Sequence, residues 1–230
     1  MNAAKDCTLQ EKLLRCAMAL VLAAGALLAS VAASPAYAAP STVDVSIGGK
    51  IPYGGFATTW MSADGNIAYC AEPSSPTPAP GSYSTSPVPS GDVTAAIWYS
   101  FGSPGFDASM FPGSWYDGGG WDDAKYAAAS HVLIAYAYSG SESAATHGTS
   151  AEFASWAKSE LIGGTFAKMK AGAGKVSAGF EAFCVRTGGG SQTLVSFSWS
   201  AGGVKVAKED SEAGAEPLGG ASLDGARVVD

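Results

Sequence analysis

The chain has 230 residues, 47% of them hydrophobic and 14% charged, and its 13 basic and 20 acidic side chains give a formal net charge of −7. That length supports one sizeable core with part of a second domain. The acidic balance and the lack of any basic stripe argue against nucleic acid and anionic membrane as partners.

The first 38 residues read as a leader. Lys5, Lys12 and Arg15 form a basic start, residues 17–33 a small-residue apolar run, and Ala36-Tyr37-Ala38 a small-x-small signal, so a cut after Ala38 is expected. No later run is long enough to span a bilayer, and no membrane span is expected in the mature chain. Cys7 and Cys16 leave with the leader. Cys70 and Cys184 remain, and export places them in an oxidising compartment. A Cys70–Cys184 disulfide is one reading, and closing so long a loop would be worth about 4–5 kcal/mol if unstrained.

Val43, Val45 and Ile47 alternate with polar residues, the pattern of a strand with one buried face. Residues 56–60 and 67–70 flank Ala63-Asp64-Gly65-Asn66, and Asp-Gly supplies the positive φ of a tight hairpin turn. Cys70 therefore falls at a strand end. Residues 73–91 are rich in Pro and Ser and are expected to form an extended surface loop. An apolar, aromatic run at 93–101 leads into a Gly/Pro/aromatic loop at 102–120. Trp115, Tyr116 and Trp121 there are either a recognition rim or a lid on the core.

Asp122 or Asp123 can cap a helix over 124–138, stopped by Gly140. Its Ala-rich, mostly uncharged sequence predicts a central, buried helix, with His131 in the middle. A second helix is expected from Thr149, where Thr149-Ser150-Ala151-Glu152 fits a capping box. Phe153, Trp156, Ala157 and Leu161 recur at helical spacing, and Gly163-Gly164 ends or interrupts the helix. From Gly179 the pattern returns to strands. Phe183 and Val185 face one way, Gly188-Gly189-Gly190 turns the chain, and Leu194, Val195, Phe197 and Trp199 carry the return strand, with Gln192 at its start. Ala201-Gly202-Gly203 reads as a hinge, and Val204, Val206 and Lys208 alternate on a further strand.

Two short motifs carry chemistry. Tyr69-Cys70-Ala71-Glu72 resembles the aromatic-Cys-hydrophobic-polar motif of the thioester domains of Gram-positive surface adhesins. Gln192-Thr193-Leu194-Val195 is similar to the late Gln motif of those domains, and Gln192 is the only Gln outside the leader. Between the two, such domains carry a Thr-Gln-x-Ala block on a central helix. Here the block is Ser130-His131-Val132-Leu133-Ile134-Ala135-Tyr136, in which His131 replaces the Gln and Leu133 the Ala. The likeness covers roughly residues 43–200.

This resemblance implies an α+β fold, a β-rich domain with inserted helices over residues 39–202, and an internal thioester between Cys70 and Gln192. It implies a host or neighbouring-cell surface protein or glycan as partner, display at the cell surface or secretion, and no cofactor. It also implies single-turnover chemistry, so the chain is not expected to be an enzyme. His131 is either a supporting group, bonding the backbone near Cys70 or helping deprotonate its thiol, or a satisfied core histidine.

The tail carries a second resemblance. Residues 203–210, then Gly214 and Pro217-Leu218-Gly219-Gly220-Ala221, are similar to the opening of a prealbumin-like B-type domain of pilin and collagen-adhesin stalks. Lys208 matches that family's isopeptide lysine, but the closing strands, the Asn and the helper carboxylate are missing. Residues 203–230 are thus read as an incomplete β-sandwich in which no isopeptide bond can close.

Other chemistry finds less support. A Cys–His hydrolase or transpeptidase would take Cys70 as nucleophile and His131 as base. No sequence like that of a Cys–His enzyme family surrounds Cys70, and the only Asn beyond the leader is Asn66. Two His and two Cys without close ligand spacing do not suggest a metal site. Gly188-Gly189-Gly190 lacks the following helix and Lys of a phosphate loop. His147 lies in a polar loop and is read as solvated.

Overall fold

The computed structural model describes residues 39–200. The leader, Lys208 and the prealbumin-like segment lie outside the described residues. Six strands are present: β1 (Thr42–Tyr53), β2 (Phe56–Ala63), β3 (Asn66–Cys70), β4 (Gly81–Pro87), β5 (Phe180–Arg186) and β6 (Leu194–Trp199). They close into an antiparallel barrel in the order β1-β2-β3-β6-β5-β4. The helices are inserted between β4 and β5, as expected for a β-rich α+β domain.

The sequence explains the wall of the barrel. Asp64 (φ 48°) and Gly65 (φ 79°) both take positive φ, giving the tight β2–β3 hairpin that Asp-Gly favours. In β1 the register slips between Ile47 and Lys50, at Gly48-Gly49. Such a bulge turns the following side chains to the other face of the sheet. Val43 and Val45 accordingly pack inside the barrel with Met61, Phe183, Val185 and Leu194. Ile51 and Tyr53 face outward into the helical core.

That outer core is built on α1 (Gly91–Tyr99) and α2 (Asp123–Ser139). Asp122 caps α2 by accepting the Lys125 N–H at 2.9 Å, and Gly140 stops it in the left-handed conformation at φ 68°. Every residue from Ala127 to Ala135 is buried, so α2 is central, as its composition predicts. A short α3 (Glu142–Ala145) leads to α4 (Ala151–Trp156), a π-helical segment (Ala157–Phe166) and α5 (Ala167–Ala171). Gly163 and Gly164 lie within the π-helical segment, so they interrupt the α-helix without ending the rod.

Two expectations are corrected. The Pro/Ser stretch is not loop throughout, because Gly81–Pro87 forms β4, pairing with β1 on one side and β5 on the other. Its prolines fall before the strand, at its last residue or after it, outside the strand's interior. The cap of α4 is Ser150, whose hydroxyl accepts the Phe153 N–H at 3.2 Å. Thr149 instead donates its hydroxyl to the Thr146 carbonyl, so the capping box starting at Thr149 does not form.

Candidate functional site

Cys70 ends β3 and Leu194 begins β6, and the two are register partners, as are Tyr69 and Val195. The pairing continues one step further, since the Ala71 N–H donates to the Thr193 carbonyl at 2.9 Å. Glu72 follows Ala71 and Gln192 precedes Thr193 in the chain. Cys70 and Leu194 lie on one face of the sheet, and Gln192 lies two residues before Leu194. Cys70 is 1% exposed and Gln192 4%, so the place is shielded from water.

The ladder changes character at this point. Paired residues in an antiparallel sheet can exchange both main-chain bonds. Here the Thr193 N–H turns instead to Glu72 Oε2 at 2.8 Å. The Gln192 main chain is fixed separately, its N–H donating to the Pro76 carbonyl at 3.0 Å and its carbonyl accepting from Thr187 Oγ1 at 2.7 Å. The Pro-rich segment after Cys70 thus holds in place the residue that bears the carboxamide.

Burial pushes the Cys70 thiol up to about 12, opposed by the Glu72 main-chain N–H and reinforced by the Glu72 carboxylate. At neutral pH the sulfur is therefore a protonated thiol when it is not acylated. The Tyr53 ring lies at the same end of the barrel, and its hydroxyl is buried without a hydrogen-bond partner among the described residues. Burial also raises Tyr53, so it stays neutral.

Residues 42–164 match the sequence model of the family described as thioester domain. The chain belongs to the thioester domain family. No curated protein and no solved structure matches it. The span that matches this thioester domain family includes Cys70 and the Ser130-His131 block, while Gln192 lies beyond it.

The structure corrects the disulfide reading. Cys70 and Cys184 are both buried free thiols. Cys184 pairs with Val195 and faces the helical core, whereas Cys70 pairs with Leu194 and faces the barrel interior. Strand β6 runs between them. Two strand spacings, about 9–10 Å, and opposed side-chain directions exceed what a disulfide can bridge.

His131 lies in the middle of α2. It packs on the helical side of the sheet, 2% exposed, with Nδ1 3.1 Å from Thr58 Oγ1 and its ring 6.4 Å from the Tyr53 centroid. Burial pushes it down to about 3, so it is neutral. Its ring is buried, neutral and hydrogen-bonded to Thr58. Its neighbour Ser130 is more structural than its motif suggests, because Ser130 Oγ accepts the Phe101 N–H at 3.0 Å while Tyr69 donates its hydroxyl to the Phe101 carbonyl. This ties α2 and β3 to the same loop residue.

Trp115 is a lid rather than a rim, 4% exposed and packed on Trp156 (5.0 Å), Trp121 (5.1 Å) and Phe153 (5.7 Å between centroids). Among the described residues no cluster of His, Cys, Asp and Glu could hold a metal ion, and no helix is long and apolar enough to cross a membrane. Sequence motifs alone do not single out Glu72 or Tyr53. Glu72 is visible there only as the polar end of the Cys motif, because its bond to Thr193 spans two strands far apart in the chain.

Proposed function

We propose that the domain forms an internal thioester between Cys70 and Gln192 and uses it to attach covalently to a host or neighbouring surface. The Cys70 thiol attacks the Gln192 side-chain carbonyl carbon, the C–N bond breaks and ammonia leaves. An amine from a surface protein, or a hydroxyl from a glycan, later attacks the same carbon. The C–S bond then breaks, and Cys70 is released as a thiol while the target stays bonded to Gln192. Each molecule reacts once, so this is attachment rather than turnover. A tether of this kind does not dissociate, which suits an exported protein at a cell surface.

The observation that supports this reading is the pairing of Cys70 with Leu194, two residues after Gln192, with both Cys70 and Gln192 buried. Membership of the thioester domain family supports it. The test is the intact mass of the mature protein. A thioester leaves the chain lighter by one ammonia, about 17 Da, and methylamine adds covalently at Gln192. A mature chain of full mass that ignores methylamine would overturn the reading.

A further inference from the structure

Aminolysis of a thioester moves a proton as well as an acyl group. The attacking amine must lose one, and the departing sulfur must gain one if it is not to be left as a buried thiolate. Cys70 sits where a thiolate is doubly disfavoured, by burial and by the neighbouring Glu72 carboxylate. A proton carrier beside the sulfur therefore lowers the barrier. Glu72 is half-buried, lies two residues after Cys70, and its main-chain N–H bonds the Cys70 sulfur. Its Oε2 is fixed by the Thr193 N–H at 2.8 Å, and Oε1 has no protein partner among the described residues. One oxygen is anchored and the other is available.

Resting on the thioester reading, we propose that Glu72 is the proton carrier of this site, taking the proton from the incoming amine and delivering it to the Cys70 sulfur. In the attachment step, R–NH2 and the Cys70–S–C(=O)–Gln192 linkage give the R–NH–C(=O)–Gln192 amide and the Cys70 thiol. The N–C bond forms, the C–S bond breaks, and the proton passes from nitrogen through the carboxylate to sulfur. In the forming step the same carboxylate takes the thiol proton and returns one to the departing ammonia. Both steps conserve atoms and need no oxidant or external catalyst. The titratable groups that interact with this carboxylate are Cys70 on β3 and Cys184 on β5. The main-chain clamp and the proton relay are separable, because a carboxamide at position 72 can still accept the Thr193 N–H but cannot relay a proton.

The experiment compares wild type, E72Q and E72A by intact mass and by methylamine uptake across pH 5.5–9, with thermal melting as the check on folding. For E72Q, the wild-type melting temperature and uptake by the thioester fraction slowed by about 100-fold or more are expected. Added formate is expected to restore part of the rate in E72A. An E72Q chain that melts as wild type yet stays at full mass also supports the proposal, since formation moves the same kind of proton. E72Q that forms the thioester and takes up methylamine at the wild-type rate and with the wild-type pH profile overturns it. Failure of the thioester reading looks different, as wild type itself would then show the full mass.

Discussion

Cys70 and Cys184 occupy opposite faces of one barrel wall, with β6 between them: Cys70 lies across from Leu194 toward the interior, Cys184 across from Val195 toward the helices. The two thiols therefore have separate fates. C184A is predicted to keep the mass deficit of one ammonia (about 17 Da), whereas C70A should lose it. Removing the Cys184 sulfur from a fully buried position should lower stability by only about 1–2 kcal/mol. A wild-type chain lighter by two hydrogens, about 2 Da, would contradict the register on which this rests.

His131 sets an acid limit on the fold. It is buried and neutral, pushed down to about 3, while the unfolded histidine titrates near its ordinary 6.5. The sign follows directly. Above the unfolded value neither state binds the proton and stability is unaffected. As pH falls below it, the unfolded state gains a proton that the folded state refuses, so stability declines by up to about 1.4 kcal/mol per pH unit until the folded value is reached. Substituting H131Q keeps a group able to bond Thr58 Oγ1 but removes the titration. Urea midpoints measured at pH 7.5, 6 and 5 should fall more steeply for wild type than for H131Q. Parallel slopes would show that the histidine is protonated in place.

The strands with alternating apolar residues were legible from sequence, and so were the Asp64-Gly65 turn and the Asp122 and Gly140 ends of α2. Those signals are local: φ preferences, caps and a period of two. Strand β4 was not legible, because Gly81-Ser82-Tyr83-Ser84-Thr85-Ser86-Pro87 carries almost no apolar alternation. It is a strand because β1 and β5 each offer it a row of hydrogen bonds, and neither neighbour is close in sequence. The run at 93–101 gave no decision between strand and helix, as short apolar runs do not. At the candidate site, the motifs name Cys70 and Gln192 as candidates. Which cysteine faces which core could not be read from them, since that depends on β6 lying between β3 and β5.

Gly54 joins the barrel to the helices at a point where only glycine fits. It has φ +52°, and a Cβ there would sit 2.4 Å from Phe153 Cγ. Its carbonyl also accepts the Ser150 N–H at 2.6 Å, at the cap of α4. G54A is therefore predicted to cost roughly 2–4 kcal/mol through strain and overpacking together. Gly65 is the control. Its φ is +79°, yet a Cβ added there would meet nothing within 4 Å, so G65A should cost only about 1–2 kcal/mol. Equal losses in chemical denaturation would mean that the Phe153 contact is soft and that the hairpin end is not held as described.

Released from any thioester, the Cys70 sulfur should be a poor nucleophile toward outside reagents. Burial raises Cys70 to about 12 and Cys184 to about 11, against 9.0 for an ordinary thiol. The thiolate fraction at pH 8 is then lower by about a thousandfold at Cys70 and a hundredfold at Cys184, and alkylation follows the thiolate. Gln192→Ala removes the acyl partner while leaving the main-chain bonds to Pro76 and Thr187 available. In that variant both cysteines should resist iodoacetamide in the folded state and react fully after denaturation, with Cys70 the slower of the two under native conditions. Fast labelling of Cys70 in the folded variant would mean that the site admits water and reagent freely, and a thioester there would hydrolyse before it met its target.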